Sequence, residues 1–495
     1  MTSLWMDTAE LPATSPWEDG ASYDVVVLGA GLTGLATAYL LARRGVSVAV
    51  LEARTVGAVT TGGTTGKVSL LQGTSLSGVR RVAGEDAART YLEANRAGQD
   101  WLREELGEGE VLQTRDAWTY AVTAAGRRRA AEEWAACTAV GLPVEAVDPG
   151  DSGLPFPAVA ALRLADQAQV HAGLLLAHLL AGVLDAGGRV VEGVRATGVD
   201  KELPGEVQTT RGPVRAGRVV LATGTPFLDR TLHFARLAPS RSYGSAYRVP
   251  GEIPAGMYLS ADTPSRSLRT APTALGELLV VGGSSHPVGV DDSRGRGEKD
   301  LVEELDVWAR SHIEGAERTH RWSAQDYRTP DGIPYVGPVG GSDRLLVATG
   351  FNKWGMTNAS AAALALTGYV VGELPSWAPL LAGRGAGAGR AAEVARLNAL
   401  VAGRLATGLL GAELSSAPGT VPEGCGVVGR DALRPVGVSC VDGVTRRVSG
   451  RCSHLGGVLT WNDAELTWDC PLHGSRFAPD GAVLEGPATE DLSAG

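Results

Sequence analysis

Several features that define common protein classes are scarce or missing in this 495-residue chain. The five cysteines are an odd number, which argues against a secreted protein held by paired disulfides. Lysine and arginine total 45 against 55 acidic residues, and an acidic chain without basic runs is a poor candidate for binding nucleic acid or an anionic membrane. The sequence has no apolar run long enough for a membrane span, and its first residues lack the pattern of a secretory signal. We therefore expect a cytoplasmic protein with no nucleic-acid or membrane partner.

The length predicts about three domains or subdomains. The clearest linker is the glycine-rich stretch 383–390, and a short amphipathic helix follows it. After about residue 415 the sequence changes to short strands with glycine turns and no helical periodicity. We therefore predict a domain boundary near residue 415.

The chain near its start carries a dinucleotide-binding pattern. Apolar periodicity predicts a strand over 24–28, a helix over 32–44 and a second strand over 46–51. Between the first strand and the helix lies Gly29-Ala-Gly-Leu-Thr-Gly34, whose glycines allow a tight turn and close approach to a pyrophosphate at the helix N-terminus. Glu52 ends the second strand, where an acid accepts hydrogen bonds from ribose hydroxyls. This context predicts an NAD or FAD site.

The next segment distinguishes the two cofactors. Residues 57–73 read GAVTTGGTTGKVSLLQG and resemble the second flavin segment of the D-amino-acid-oxidase-like family, which includes glycine, sarcosine and D-amino acid oxidoreductases. The subgroup most similar to this chain reads T-G-N-T-T-A-K-V; Gly63 and Gly66 replace its Asn and Ala, and Gln72 stands where a histidine is expected. Further resemblances follow in order at 166–171, 219–224, 282–286, 329–335 and 348–357.

The resemblance covers roughly residues 23–375 and implies an α/β Rossmann-like FAD-binding domain with an inserted α+β substrate domain. We expect the FAD-binding domain at 23–90, 160–232 and 325–375, the substrate domain at 91–159 and 233–324, an N-terminal arm at 1–22, a linker with a helix at 376–414 and a small all-β domain at 415–495. The expected FAD-binding residues are Gly29, Gly31, Leu32, Thr33, Gly34, Glu52, Ala53, Arg54, Thr61, Gly62, Thr64, Thr65, Gly66, Lys67, Val68, Val194, Ala222, Thr223, Gly224, Gly350, Lys353, Gly355, Met356 and Thr357.

The C-terminal region carries a metal-ligand pattern. Cys452-Ser-His454 and Cys470-Pro-Leu-His473 form two Cys–His pairs, and the first spacing is not that of a zinc finger. A Rieske [2Fe–2S] cluster takes two thiolates on one iron and two imidazoles on the other, which this set supplies. We therefore predict a Rieske domain, with Cys452, His454, Cys470 and His473 as the cluster ligands.

Four positions around these ligands inform the redox potential. Gly457 and Leu472 stand where respiratory-type Rieske domains have a bridging pair of cysteines, and Phe477 stands where high-potential centres have tyrosine. Ser475 matches a serine that donates to a cluster sulfide. Fewer donors to sulfur lower the potential, so we expect a middle to low value. We interpret the remaining cysteines, Cys137, Cys425 and Cys440, as small buried hydrophobic residues.

Together these features predict an FAD-dependent oxidoreductase. The main hypothesis is dehydrogenation of a C–N or similarly activated C–H bond in a small molecule by hydride transfer to flavin N5. The Rieske cluster then relays electrons singly to or from a ferredoxin-like carrier or oxygen. The alternative is an electron-transfer or redox-sensing protein, either without catalysis or with electrons entering through the cluster.

The sequence lacks two motifs of other redox enzymes. It has no second G-x-G-x-x-G for NAD(P)H and no two-histidine pattern for the mononuclear iron of a Rieske oxygenase. The candidate pocket residues are Tyr243, Tyr247, His286, Tyr335, Lys353 and Trp354.

The sequence leaves several properties open. It does not give the substrate, the direction of electron flow, the terminal carrier, the role of Gln72, or whether FAD is covalently attached. A homo-oligomer is compatible with it.

Overall fold

The structure is a computed structural model that describes residues 1–228, 232–273, 276–290, 296–339, 341–383, 388–414, 416–431 and 434–495. The predicted boundary at residue 415 and residues 384–387 of the glycine-rich linker lie outside these residues. Among the helices described, none combines the length and apolar character needed to cross a lipid bilayer.

The first sheet carries the predicted dinucleotide motif. Its parallel strands lie in the order β7, β2, β1, β10 and β17, and β16 pairs antiparallel with β17 at the edge. The last four residues of β1 are buried aliphatic side chains, as expected for a parallel strand covered on both faces. The bounds are β1 (Ser22–Leu28), β2 (Val48–Leu51), β7 (Arg189–Val191), β8 (Ala196–Val199), β9 (Gly205–Thr209), β10 (Val214–Leu221), β16 (Tyr335–Val339) and β17 (Ser342–Thr349).

The second sheet lies beside the first and is mainly antiparallel. Its strand order is β15, β11, β14, β13, β12, β4, β6 and β3, and β5 pairs with β6. The bounds are β3 (Lys67–Val68), β4 (Leu112–Ala121), β5 (Glu145–Val147), β6 (Ala160–Val170), β11 (Ala238–Arg248), β12 (Met257–Ser260), β13 (Arg266–Thr273), β14 (Gly276–Pro287) and β15 (Glu317–Arg328).

Helices cover both sheets and complete the main apolar core, which joins side chains of α2, α4, α6 and α8 to β1 and β2. The helices are α1 (Leu4–Thr8), α2 (Leu32–Ala42), α3 (Ser75–Ala83), α4 (Glu85–Leu106), α5 (Ala124–Ala139), α6 (Ala172–Asp185), α7 (Glu298–His312), α8 (Gly355–Val371), α9 (Ala378–Ala382) and α10 (Ala388–Leu414).

The C-terminal domain consists of two small antiparallel sheets with a core around Trp468 and Phe477. The first contains β18 (Gly426–Asp431), β19 (Arg434–Val441) and β20 (Val444–Ser449). The second contains β21 (Thr460–Asn462), β22 (Thr467–Asp469), β23 (Arg476–Phe477) and β24 (Val483–Glu485).

Three local expectations differ from the structure. Residues 160–170, which we assigned to the FAD-binding domain, form β6 of the second sheet because they pair with β4. Cys137 is buried as expected, whereas Cys425 is exposed and Cys440 half-buried. Cys425 follows the turn at Gly424 (φ 74°) at the domain surface, outside the core.

Candidate active site and iron–sulfur centre

A cavity of about 1220 Å³ runs between the two sheets. The glycine-rich turn after β1, the segment after β2, the loop before α8 and residues 484–489 of the C-terminal domain all contribute to its wall. Its size and elongated lining match a dinucleotide together with a small substrate. The C-terminal domain is therefore part of the same site.

The dinucleotide end of the cavity is held by backbone groups. The Glu52 carboxylate accepts from the N–H groups of Ala30 (2.8 Å) and Arg54 (2.9 Å), and burial raises its pKa. Gly34 packs directly against Gly29, leaving no space for a Cβ, so the helix starts close to the strand. These features fit the pyrophosphate and ribose of FAD.

Lys67 provides a positive charge deep in the cavity wall. Its ammonium donates to the Ser267 hydroxyl, and burial lowers its pKa to about 7. Within the described residues no carboxylate forms an ion pair with Lys67. This arrangement favours a negatively charged group nearby.

Lys353 lies in the turn between β17 and α8, where Asn352 (φ 50°) and Lys353 (φ 67°) both adopt left-handed backbone conformations. Its ammonium enters the cavity and donates to the hydroxyls of Ser242 (2.6 Å) and Ser285. Its backbone N–H donates to the Asp326 carboxylate. Burial lowers the pKa of Lys353 to about 8 and raises that of Asp326 to about 6. Such strained residues concentrate at functional sites.

Gln72 belongs to a buried polar network. Its amide donates to Asn95 (3.0 Å) and Thr357 (3.1 Å), and it accepts from the Tyr91 hydroxyl (2.7 Å). Thr357 lies in the first turn of α8, which begins at Gly355 after Trp354.

His286 and Tyr243 meet at a buried carboxylate. The Glu298 carboxylate lies 2.7 Å from His286 Nε2 and accepts from the Tyr243 hydroxyl. Burial, together with the charge of Glu298, raises the pKa of Tyr243. Of the three residues, only Tyr243 reaches the cavity.

The structure distributes the predicted site residues between the cavity wall and the layer behind it. Behind the wall lie Gly34, Gly62, Gly66, Val68, Val194, Gly350, Thr357, Tyr247, His286 and Tyr335. In the wall lie Gly29, Gly31, Leu32, Thr33, Glu52, Ala53, Arg54, Thr61, Thr64, Thr65, Lys67, Ala222, Thr223, Gly224, Tyr243, Lys353, Trp354, Gly355 and Met356.

The two Cys–His loops have the same backbone geometry. Cys452 N–H donates to Gly457 and Cys470 N–H to Ser475, each at 2.8 Å, and in each loop the residue four positions on donates back to the cysteine carbonyl. The imidazole centroids of His454 and His473 are 5.4 Å apart, and Phe234, which lies just before β11, is edge-on to both rings, at 5.1 and 5.0 Å.

The thiols of Cys452 and Cys470 interact with each other, and this interaction lowers the pKa of Cys452 and raises that of Cys470. Paired thiols beside paired imidazoles fit the split ligand set of a Rieske cluster. Within the described residues, no group of three or more His, Cys, Asp or Glu side chains is arranged to hold a single metal ion. Leu472 packs against Gly457, so an apolar contact occupies the place of a cysteine bridge.

Sequence reasoning missed the residues that join the C-terminal domain to the cavity. Arg241 on β11 donates to Glu465 (3.0 Å) and Asp469 (2.7 Å), and Arg195 donates to the carbonyl of Val483 (2.7 Å). The only sequence signal was the chemistry of isolated charged residues, which does not identify partners more than 200 positions away.

Comparisons with known proteins agree with this geometry. The family model for FAD dependent oxidoreductases matches residues 24–368, and that for the Rieske [2Fe-2S] domain matches residues 419–494. The Rieske 2Fe-2S iron-sulfur protein YhfW of Bacillus subtilis (strain 168) is 33% identical over 504 residues, which cover 99% of this chain and 96% of YhfW.

Solved structures show the same fold at low sequence identity. Glycine oxidase from Geobacillus kaustophilus aligns with a TM-score of 0.60 and 22% identity, covering 74% of this chain and 100% of that one. L-proline dehydrogenase from P. horikoshii aligns with a TM-score of 0.58 and 16% identity, covering 72% and 95%. The expected fold class and the two cofactors, FAD and a [2Fe–2S] cluster, are confirmed. This chain therefore belongs to the D-amino-acid-oxidase-like family of FAD-dependent oxidoreductases and carries a Rieske [2Fe–2S] domain at its C-terminal end.

Proposed function

We propose that this oxidoreductase dehydrogenates a C–N or similarly activated C–H bond of a small molecule, and that the Rieske domain of the same chain relays the electrons to or from an external carrier or oxygen. The observation that carries the proposal is a hydrogen-bonded connection between the cavity wall and a cluster loop. FAD supplies the hydride-accepting ring when bound. The protein orients the reacting carbon and excludes water around it.

The connection runs through Gln325 on β15. Its amide N–H groups donate to the carbonyl of Gly474 (2.7 Å) and to the hydroxyl of Tyr327 (2.9 Å), a residue of the cavity wall. Gly474 directly follows the ligand His473. A few bonds thus separate the cavity wall from a cluster ligand, which supports transfer within one chain.

The charges of the cavity support a substrate with a carboxylate or a similar anionic group. Lys67 and Lys353 both extend ammonium groups into the cavity and donate to hydroxyls instead of carboxylates. The same charges would favour negative charge on a reduced flavin ring. An amino-acid-like amine is the substrate class that fits best.

The candidate catalytic residues divide by position. Lys353, Trp354 and Tyr243 line the cavity and are proposed to contact the substrate or the flavin. His286 acts through Glu298 on Tyr243 and is a positioning residue in this proposal. Tyr335 lies behind the wall beside His233, so its proposed role is packing.

The test is an anaerobic reaction of the holoenzyme with a panel of secondary amines and amino acids. Flavin bleaching is followed by absorption and the reduced cluster by electron paramagnetic resonance. We expect a substrate to bleach the flavin before the Rieske signal appears, at a rate independent of protein concentration. A Cys452→Ser variant that lacks the cluster should still bleach.

A different result would contradict the proposal. If dithionite reduces both centres but no member of the panel bleaches the flavin, amine dehydrogenation is wrong. Electron entry through the cluster is then tested with reduced ferredoxin as the donor.

A further inference from the structure

The middle of the flavin segment, residues 62–66, is held from behind by side chains that donate to its backbone carbonyls. The backbone carbonyls of residues 62–66 each accept a hydrogen bond from a side chain. Ser3 donates to Gly62, Trp322 to Gly63 (2.8 Å), Trp5 to Thr64 (2.6 Å), and Arg269 to Thr65 and Gly66 (both 2.9 Å).

Two of these donors belong to the N-terminal arm, which precedes the first strand of the fold. Trp5 is fully buried, and its indole packs beside the guanidinium of Arg269 at 4.9 Å. Met6 packs against Gly57 and Gly62 of the flavin segment. Because α1 has five residues, too few for a helix to be stable alone, these contacts are what order it.

Arg269 donates to the carbonyls of Thr65 and Gly66, the last two of these five residues. Its guanidinium is buried and donates to carbonyls, including that of Val170 (3.1 Å), and it forms no ion pair with a carboxylate among the described residues. Burying a cation without a counter-ion is costly. The cost is offset by carbonyl dipoles, which are thereby fixed in direction.

The front of the same segment faces the cavity. Thr61, Thr64, Thr65 and Lys67 line it, whereas the carbonyls behind them are engaged as described. The position of these side chains relative to FAD therefore depends on how firmly the backbone is held.

We propose that the N-terminal arm supports the FAD-binding wall from behind, with Ser3 and Trp5 as positioning residues that hold residues 62–64 in the cofactor-binding conformation. Losing one donor frees a buried carbonyl and loosens the segment. The cofactor then dissociates more readily while the rest of the fold persists.

The test compares two tryptophans of the same arm in the holoenzyme. Trp5→Phe keeps an aromatic ring but removes the donor to Thr64. Trp17→Phe removes a donor to Asp19 that has no contact with the flavin segment. FAD release on dilution is followed by the rise of flavin fluorescence. We expect roughly five- to tenfold weaker FAD binding for Trp5→Phe and no change for Trp17→Phe.

A milder pair of variants keeps the proposal testable if Trp5→Phe folds poorly. Ser3→Ala removes the donor to Gly62, and Ser3→Thr retains a hydroxyl and should restore FAD affinity. Thermal unfolding with added FAD separates positioning from general stability. A loss of melting temperature that FAD restores supports the proposal. Unchanged FAD affinity in both Trp5→Phe and Ser3→Ala, or a stability loss that FAD does not restore, would overturn it.

Discussion

Arg241 and Asp469 form an ion pair of 2.7 Å whose side chains are 0% and 1% exposed, although Arg241 lies on β11 of the second sheet and Asp469 lies in the Rieske domain. Glu465 and Arg476 extend it into a network. Although burial alone would raise the pKa of Glu465, the guanidinium groups of Arg476 and Arg241 lower it to about 2. Charges this deeply buried require their partners, so the network fixes how the two domains dock.

Removing the Arg241 side chain should weaken the docking of the Rieske domain on the rest of the protein. Arg241→Met leaves the carboxylates of Glu465 and Asp469 short of a donor, and breaking such a buried pair costs about 3–5 kcal/mol. We expect an equivalent fall in the free energy of unfolding and faster proteolysis at the linker. Arg248→Met is the matched control, because Arg248 is 61% exposed and its carboxylate partner is 4.0 Å away. Equal stability of the two variants would contradict a docking role for the pair.

The pH dependence of the flavin potential should report Lys353. With a pKa of about 8, this ammonium is charged below pH 8 and neutral above it. If its charge stabilises the reduced ring, reduction raises its pKa and takes up a proton above pH 8. The midpoint potential should therefore fall there by about 30 mV per pH unit more than in Lys353→Met, for a two-electron couple.

The control for this measurement is Lys201→Met, which removes a lysine from an exposed loop. It should keep the wild-type pH profile. Superimposable profiles for Lys353→Met and the wild type would show that Lys353 does not sense the flavin charge.

We expect Gln72 to stabilise the fold and to take no part in the reaction, although it stands where the resembling subgroup has a histidine. Gln72→Leu removes bonds to Tyr91, Asn95 and Thr357 inside the protein and should cost about 1–3 kcal/mol of unfolding free energy. Gln208→Leu, at an exposed glutamine, should cost little. A large loss of turnover in Gln72→Leu at unchanged stability would instead indicate a direct role in the reaction.

The parts of the fold that could be predicted are those whose structure depends on residues close together in the sequence. The strand, helix and strand around Gly29–Gly34 depend on neighbours in sequence, and the structure places them within a few residues of expectation. Residues 160–170 could not be assigned in the same way, because their strand forms by pairing with β4, about 50 positions earlier. The Cys–His spacing predicted the ligand loops because each loop is itself local.

Contacts between residues that are far apart in the chain could not be predicted from the sequence. Gln325 meets Gly474, and Trp5 meets Thr64, only after the sheets and the Rieske domain have assembled. Nothing near either residue in sequence indicates its partner. The hydrogen bonds from Gln325 to the loop that contains His473 and from Trp5 to the flavin segment are therefore findings of the structure.

Two substitutions beside the cluster should move its potential in opposite directions. Ser475 lies fully buried next to the Cys452 thiol and accepts from Ala488 N–H at 3.0 Å, and Phe477 is buried in the same core. Ser475→Ala removes a donor near the cluster and should lower the potential, whereas Phe477→Tyr adds a hydroxyl and should raise it. Each shift should be tens of millivolts, a small part of the range of about 450 mV that Rieske centres span.

Redox titration followed by electron paramagnetic resonance measures the potential of both variants. Ser453→Ala is the control, because this exposed hydroxyl lies between the ligands of the first Cys–His loop but donates to the Glu490 carbonyl and not to the ligands. A potential unchanged in Ser475→Ala would mean that the serine serves only to hold Ala488, and that the cluster is tuned by other groups.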